Sequence, residues 1–342
     1  MTLANAMRPS RPLIASVVAL LVLVACGGGD GGDRPVPAPT TTLPPIAPLT
    51  GLPLTEQARL ARPALVVKIE NAPASRPQSG LDAADVVFEE IVEGGITRFL
   101  AVFHSTDAEL IGPVRSLRPS DPDVAAAFGG LFAYSGGIPS FIEGLRRAPG
   151  ITDVGVDRLD EGPDKPYTRR PGRPAPNNLY TSTSKLYAAA PSGTRPPGRF
   201  NDFLPADEAF TAGGAMPATS LTTSVGTTIV NFEYDAGSKT YRRTGLVEGA
   251  GTVAAANVIV QLTSYTETDE TDLTGATVEK ASTVGSGDAV ILSGGMAVRG
   301  RWSKSSATAY TTYTDANGAP IRLSPGRTWV ELARRGAPVS TR

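Results

Sequence analysis

Charged and polar side chains recur in short motifs of the first half of the chain, and they are the side chains best suited to bind a ligand. The candidate ligand-binding residues are Arg76, Glu93, Arg98, Arg115, Arg118, Asn177 and Asn178. Arg115 and Arg118 both follow Gly112-Pro113, a dipeptide typical of loops. Arginines from separate loops can form a fork-shaped site for a carboxylate or a phosphate, because each guanidinium presents paired, planar donors. We therefore expect these side chains to converge at one edge of the fold and to bind an anionic group.

Two other interpretations of these residues stay open. The arginines can instead pair with Glu89, Glu90 and Glu93 and lock the loops to the sheet as a structural brace. Alternatively, Asp121 or one of these glutamates could act as the acid or base of an enzyme, since two carboxylates suffice for glycosidic chemistry. A cleft with two carboxylates and an unpaired arginine would favour the enzyme, whereas fully paired charges would favour a binding protein. The sequence assigns no catalytic residue.

Other local patterns give weaker signals. Ser135-Gly136-Gly137 lies between a predicted strand and a predicted helix, where backbone N–H groups can approach a ligand, although a plain turn accounts for it as well. The segment 133–137 loosely resembles the turn that carries the nucleophilic serine of α/β-hydrolases. In that fold the catalytic histidine follows the serine, whereas the only histidine here, His104, precedes Ser135, so the hydrolase interpretation is not supported. With no second histidine, a zinc site is not expected. The acidic residues of the segment 157–164 lack the spacing of an EF-hand. The sequence therefore predicts neither a metal nor another cofactor.

The only cysteine, Cys26, closes the stretch Leu23-Val24-Ala25-Cys26 directly after a short apolar run. The run is preceded by arginines and is too short to cross a bilayer as a helix, which is typical of a secretory signal. A cysteine at this position resembles the bacterial lipoprotein signal, and the alternatives are an uncleaved anchor helix or a buried thiol. We expect residues 1–25 to be a signal peptide and Cys26 to carry palmitate as the mature N-terminus. The protein would then be anchored in the cell membrane, facing outside the cytoplasm.

Composition divides the rest of the chain. Residues 26–49 are rich in Gly, Pro and Thr and are predicted to be a disordered tether. Residues 50–199 alternate predicted strands and helices, so this N-terminal domain is expected to be of mixed α/β type. Residues 225–335 contain short predicted strands and Gly turns, typical of a small antiparallel sandwich or barrel. The predicted fold class is therefore α+β. Residues 200–224 would be a connection and residues 336–342 a tail.

Particular elements follow from hydrophobic periodicity and turn residues. In the first half we expect strands over 64–69, 86–88 and 96–104, a hairpin turn at Gly94-Gly95, and helices over 121–128 and 139–147. In the second half we expect strands over 228–234, 239–244, 257–262, 277–283, 289–292, 297–302, 309–314, 320–323 and 328–332. The two halves therefore differ in their secondary structure.

Several longer motifs lie at positions 71, 76–81, 84–89, 93–99, 111–119 and 175–180, and again at 257–260, 300–302 and 325–330. Together they resemble the YerB-like family of bacterial lipoproteins. The resemblance spans nearly all of the mature chain. It implies a lipoprotein with a two-part domain of unknown function, so it indicates class and location without an activity. The family commonly carries His where Asn177 stands, so any role of that imidazole is absent here.

The motifs and the predicted anchor favour a protein without catalysis that binds an anionic or cell-wall ligand, or a protein partner, at the outer face of the membrane. The alternative is an envelope enzyme that acts on a glycan or an anionic lipid-linked precursor. A solute-binding protein for transport is less well supported, because the second half is predicted to be all β. The chain carries 32 Lys plus Arg against 33 Asp plus Glu, which disfavours a nucleic-acid partner. The sequence indicates neither the identity of the ligand nor the oligomeric state.

Overall fold

The computed structural model describes residues 44–246 and 253–342. The predicted signal peptide, the predicted lipidation site Cys26 and most of the predicted tether lie outside the described residues. Pro44–Arg342 forms one compact unit. Among the helices of the described ranges, none has the length and apolar character needed to cross a bilayer.

The first half forms strands at its β-branched runs and short helices between them. The strands are β1 (Leu65–Glu70), β2 (Val86–Ile91), β3 (Thr97–Phe103), β4 (Gly130–Ala133), β5 (Ile151–Asp153), β6 (Thr168–Arg169) and β7 (Leu179–Tyr180). The helices are α1 (Gln57–Ala61), α2 (Asp121–Ala125), α3 (Pro139–Arg147), α4 (Val156–Leu159) and α5 (Thr183–Ala188), with single 3-10 turns at Pro73–Ser75 and Glu93–Gly95. As predicted, β2 and β3 form a hairpin across Gly94-Gly95. Helix α3 has Pro at its first position, where the missing N–H costs nothing, and basic residues in its last turn.

In the described part of the second half, the regular secondary structure consists of strands. They are β8 (Met216–Pro217), β9 (Ser220–Val225), β10 (Thr228–Asp235), β11 (Thr240–Thr244), β12 (Ala254–Ala255), β13 (Asn257–Thr263), β14 (Tyr265–Thr271), β15 (Thr277–Ala281), β16 (Gly285–Ser293), β17 (Met296–Lys304), β18 (Thr312–Asp315), β19 (Thr328–Arg334) and β20 (Val339–Thr341). The predicted fold class is confirmed: a mixed α and β first half precedes a second half dominated by antiparallel strands.

Strands from both halves share one sheet. Among the described residues the main sheet has eleven strands, in the order β18-β17-β16-β13-β19-β2-β3-β1-β4-β5, with β8 added beside β17. Strand β19 pairs in parallel with both β13 and β2, and its Glu331 lies opposite Glu89 of β2. A second sheet has the order β12-β11-β10-β9-β20. Strand β19, the last strand of the main sheet in chain order, therefore joins the N-terminal strands to the C-terminal ones.

Each face of the main sheet has its own core. On the face that α2 and α3 cover, called the helix face below, Val66 and Leu100 pack with residues of these helices, such as Val124. The predicted connection adds four buried side chains to this core, namely Phe200, Phe203, Leu204 and Phe210. On the opposite face, which the second sheet covers and which is called the sheet face below, Phe99 and Trp329 pack against that second sheet. The boundaries predicted for the separate domains stay a prediction.

Candidate functional site

Four charged side chains of the main sheet lie on the same face of its first three strands. They are Lys68 and Glu70 on β1, Glu90 on β2 and Arg98 on β3, and all four are buried. Side chains alternate between the faces of a strand, so these four share the helix face with Val66. A buried charge is stable only when it is paired and hydrogen-bonded. The partners of these four side chains therefore determine whether this face can bind a ligand.

Lys68 lies between two carboxylates. Its Nζ donates to Asp121 Oδ1 at 2.7 Å and also to Glu90, and all three side chains are fully buried. Burial raises the pKa of Glu90 above its ordinary value, although the ammonium of Lys68 opposes this shift. Asp121 also accepts the backbone N–H of Arg118 at 2.6 Å. This cluster ties the start of α2 to β1 and leaves no exposed group to react.

Glu70 collects four donors at the end of β1. Its Oε2 accepts Arg98 Nε at 3.2 Å and Arg115 Nε at 2.6 Å, and its Oε1 accepts the backbone N–H groups of Asn71 and Ala72 at 3.0 and 3.2 Å. Burial by itself would raise the pKa of Glu70, but the two arginines and the N–H groups hold it below its usual range. Glu70 is therefore an ionised anchor that orients both arginines.

Arg118 is paired with Glu93. Its Nη2 donates to Glu93 Oε2 at 2.7 Å and its Nε contacts the other carboxylate oxygen, so the pair is two-pronged. Both side chains are buried. Arg98 and Arg118 also donate to the same carbonyl, that of Ser116, at 3.2 and 3.5 Å. Arg98 and Arg118 are thus buried and paired with carboxylates of the protein, as the brace interpretation expects.

Arg76 and Arg115 differ from these two arginines. Arg115 reaches Glu70 through Nε, and Arg76 donates its Nε to the backbone carbonyl of Asn71 at 3.2 Å. Their four terminal amino groups make no hydrogen bond to any residue within 44–246 or 253–342. The Arg115 side chain is 22% exposed, and Arg76 is also partly exposed. Arg76 and Arg115 are held by Asn71 and Glu70, two consecutive residues at the end of β1. Their guanidinium groups therefore keep N–H donors for a ligand.

The loop that carries Asn177 and Asn178 packs beside these arginines. Arg173 donates to the carbonyls of Ser75 and Pro77, at 2.7 and 2.9 Å, on either side of Arg76. The Asn178 side chain accepts Arg169 Nη1 at 2.9 Å. Asn177 Oδ1 is buried without a hydrogen-bond partner among the described residues. The loop thus brings Arg173, which the sequence did not predict, to the edge that holds Arg76, whereas the Asn178 side chain pairs with Arg169.

A second charged cluster lies on the sheet face. Arg243 of β11 donates Nη1 to Glu89 and, at 3.3 Å, to Glu331 Oε1, and the cluster is buried between the two sheets. Glu89 Oε1 also accepts Thr97 Oγ1 at 2.6 Å and Asn71 Nδ2 at 3.2 Å. Burial and the nearby carboxylate of Glu89 raise the pKa of Glu331 well above its usual range, against the opposing effect of Arg243. This cluster joins the second sheet to the main sheet.

The weaker candidates occupy structural positions. Ser135 donates its backbone N–H to the Arg115 carbonyl at 3.0 Å, so the Ser135-Gly136-Gly137 loop lies directly beside the arginine edge. His104 is buried, and burial together with the charge of Arg62 lowers its pKa to about 4. Across the described ranges, no group of three or more His, Cys, Asp or Glu side chains could hold a metal ion.

Sequence reasoning missed several residues of these clusters. Lys68 was included in the apolar run over 64–69 and Glu70 directly follows that run, although charged residues inside or beside such a run are themselves a signal of buried pairing. Arg173 follows a Pro-Gly turn and carried no distinguishing signal. Arg243 and Glu331 lie in the second half, where no charged residue was singled out.

Comparisons with known proteins agree with the resemblance found in the sequence. The model "Protein of unknown function (DUF3048) N-terminal domain" matches residues 49–195, and its C-terminal counterpart matches residues 220–330. The chain is 28% identical over 325 residues to "Putative lipoprotein YerB" of Bacillus subtilis (strain 168), with 91% of each chain covered. It is also similar to the crystal structure of the YerB protein from Bacillus subtilis, with a TM-score of 0.71 and 26% identity over 86% of this chain and 99% of that one.

Proposed function

Because the chain belongs to the DUF3048 family of proteins of unknown function, through both its N-terminal and its C-terminal domain, we propose its role from the geometry of the site. The protein is a lipid-anchored protein of the cell envelope that binds an anionic group of an envelope ligand. Arg76 and Arg115 supply the contacts to that group, and Glu93, Arg98 and Arg118 hold the surrounding loops in place.

The unsatisfied donors of Arg76 and Arg115 support this proposal most directly. Each arginine is fixed through its Nε, by Asn71 or by Glu70, so its planar fork is oriented before a ligand arrives. Preorganised guanidinium forks suit carboxylate and phosphate oxygens, which accept two parallel N–H bonds. A net positive potential at this edge would also draw an anion in from solution.

The position of the carboxylates favours binding over catalysis. Glu89, Glu90, Glu93 and Asp121 are the acids that an envelope enzyme would use, and all four are buried and in contact with a cation. A general acid or base must reach the substrate within hydrogen-bonding distance. The enzyme therefore remains the less supported alternative.

The anchor rests on the signal sequence and on the name of a relative. Cys26 ends a stretch that resembles a lipoprotein signal, and a relative that shares 28% identity over 91% of this chain carries a lipoprotein name. A single acyl chain binds membranes only marginally, so stable attachment requires more than one chain at Cys26. The binding edge would then face the space outside the cytoplasm.

Phosphate titration of the full chain in detergent tests the binding proposal. Replacing Arg115 or Arg76 by Gln should weaken the affinity for inorganic phosphate roughly 10- to 100-fold, because each change removes charge-assisted hydrogen bonds of about 1.5–3 kcal/mol. Arg322→Gln is the control, since Arg322 pairs with Glu208 on the surface. Failure of the wild-type protein to bind either phosphate or a carboxylate-bearing wall fragment would refute the proposal, as would unchanged affinity in both variants.

A further inference from the structure

Asn71 connects the two charged clusters on opposite faces of the main sheet. It directly follows β1 and donates its backbone N–H to Glu70 Oε1 at 3.0 Å on the helix face. Its side-chain Nδ2 donates to Glu89 Oε1 at 3.2 Å and to Thr97 Oγ1 at 2.7 Å on the sheet face. Asn71 is buried, so water does not compete for these bonds. One residue therefore belongs to both networks.

The two arginines of the proposed anion site depend on this residue. Arg76 donates Nε to the Asn71 carbonyl, and Arg115 donates Nε to Glu70, whose other oxygen accepts the Asn71 N–H. Gln78 Nε2 fixes the Asn71 side chain from the opposite side, at 2.9 Å from Oδ1. A displacement of the Asn71 backbone, which these side-chain hydrogen bonds hold in place, would therefore shift the supports of both forks.

On the sheet face, the Asn71 side chain donates to a carboxylate that Arg243 also contacts. Glu89 is buried, and its only cationic contact within the described residues is Arg243. Without Arg243, the buried carboxylate of Glu89 would face that of Glu331 with no cation between them, so the two side chains would move apart or admit water. A Glu89 side chain that moves in this way no longer accepts the Asn71 amide at its present distance of 3.2 Å. The hydrogen bonds thus run from Arg243 on the second sheet to Arg76 and Arg115.

We propose that anion binding at Arg76 and Arg115 is coupled through Asn71 to the seating of Arg243 between Glu89 and Glu331. This coupling rests on the proposed anion-binding function and adds its regulation. The C-terminal second sheet, held by Arg243, preorganises the anion site in the N-terminal half. By thermodynamic reciprocity, a bound anion strengthens the attachment of the second sheet by the same factor.

The test compares phosphate affinity and arginine NMR signals in the full chain. Arg243→Gln should weaken phosphate binding about fivefold or more, and Arg243→Lys should weaken it less, since it keeps a cation beside Glu89. Arg242→Gln is the matched control, because Arg242 is adjacent on β11 but pairs with Glu233 at the surface, at 3.1 Å. The control should leave the affinity unchanged.

A double-mutant cycle locates the coupling at Asn71. In an Asn71→Ala background, Arg243→Gln should change the phosphate affinity less than about twofold, because the connection is already broken. Equal effects of Arg243→Gln in both backgrounds would overturn the role of Asn71. If Arg243 variants fail to fold, amide hydrogen exchange of the wild-type protein replaces them: phosphate should slow exchange in β10 and β11, and unchanged exchange would overturn the coupling.

The NMR signals separate this inference from the proposed function. The Nε–H resonances of Arg76 and Arg115 should shift in Arg243→Gln and stay in place in Arg242→Gln, without any ligand. If these resonances shift but the wild-type protein binds no anion, the network is real and the proposed function is wrong. If phosphate binds but neither the resonances nor the affinity respond to Arg243→Gln, the coupling is wrong and the site stands.

Discussion

Arg118 and Arg115 should differ sharply in what their loss costs the fold. Arg118 is 7% exposed, and its Nε and Nη2 contact both oxygens of the buried Glu93. Arg118→Ala leaves that carboxylate buried and unpaired, which costs about 3–5 kcal/mol. Arg115→Ala removes one hydrogen bond from Glu70, which keeps Arg98 and two backbone N–H groups, so it should cost about 1 kcal/mol. The expected difference is about 2–4 kcal/mol.

Urea unfolding followed by far-UV circular dichroism measures this difference, provided that the two variants share one m-value. Since each kcal/mol shifts Tm by about 2–4 °C in a domain of 150–250 residues, the melting temperatures should differ by roughly 5–15 °C. Adding Glu93→Gln to Arg118→Ala should recover part of the loss, because an unpaired neutral amide costs less to bury than a carboxylate.

Two results would refute the reasoning. Equal costs for Arg115→Ala and Arg118→Ala would show that the buried pair contributes no more than the partly exposed one. A larger cost for Arg115→Ala would make Arg115 the structural brace, and the anion-binding proposal would lose its principal residue. Failure of Glu93→Gln to recover stability would show that the cost arises from lost packing of the Arg118 side chain and not from an unpaired charge.

Three further predictions follow from burial, titration and the signal sequence. Lys68→Met removes the cation between two fully buried carboxylates and should cost about 3–5 kcal/mol in urea unfolding, whereas Lys280→Met breaks a surface pair and should cost less than about 1 kcal/mol; similar costs would contradict the burial argument. The pKa of Glu70 is lowered in the folded state, so its contribution to stability is present above the unfolded pKa of about 4.5 and is lost as the pH falls through the folded pKa. Glu70→Gln should therefore lose less unfolding free energy than wild type between about pH 5 and pH 3, and an identical pH profile would exclude this role. Cys26→Ala should move the protein out of the membrane fraction or leave it unprocessed, as judged by fractionation and mass spectrometry, and normal cleavage with full membrane retention would argue against lipidation.

Local patterns in the sequence were sufficient for several elements. Gly94-Gly95 between two apolar runs predicted the β2–β3 hairpin, because glycines supply the positive φ that the turn needs. Pro139 and the basic end of 139–147 predicted α3 with its observed bounds. The family and the fold class also followed from the sequence, because their signals lie in contiguous motifs and in periodicity.

Polar strands and shortened elements were harder to predict. Strands β9 and β14 are rich in Ser and Thr and received no prediction, since their stability comes from pairing with neighbouring strands. The helix predicted over 121–128 ends at Ala125, and Phe128 instead packs against Phe88 and Phe200. In both cases, contacts with distant segments outweighed the local preference.

The sequence by itself determined which side chains could meet an anion, because arginines that lie beside loop-forming residues can be identified without knowledge of the fold. Only the tertiary structure decided which of them pair internally. Arg98 and Arg118 are buried with carboxylates, whereas Arg76 and Arg115 keep donors at the surface. Glu89 meets Arg243 from 154 positions away in the chain, in a fold in which β19 joins the two halves in one sheet. Ion pairing depends on distance and on the removal of water, and both are properties of the packed sheet that sequence separation does not encode.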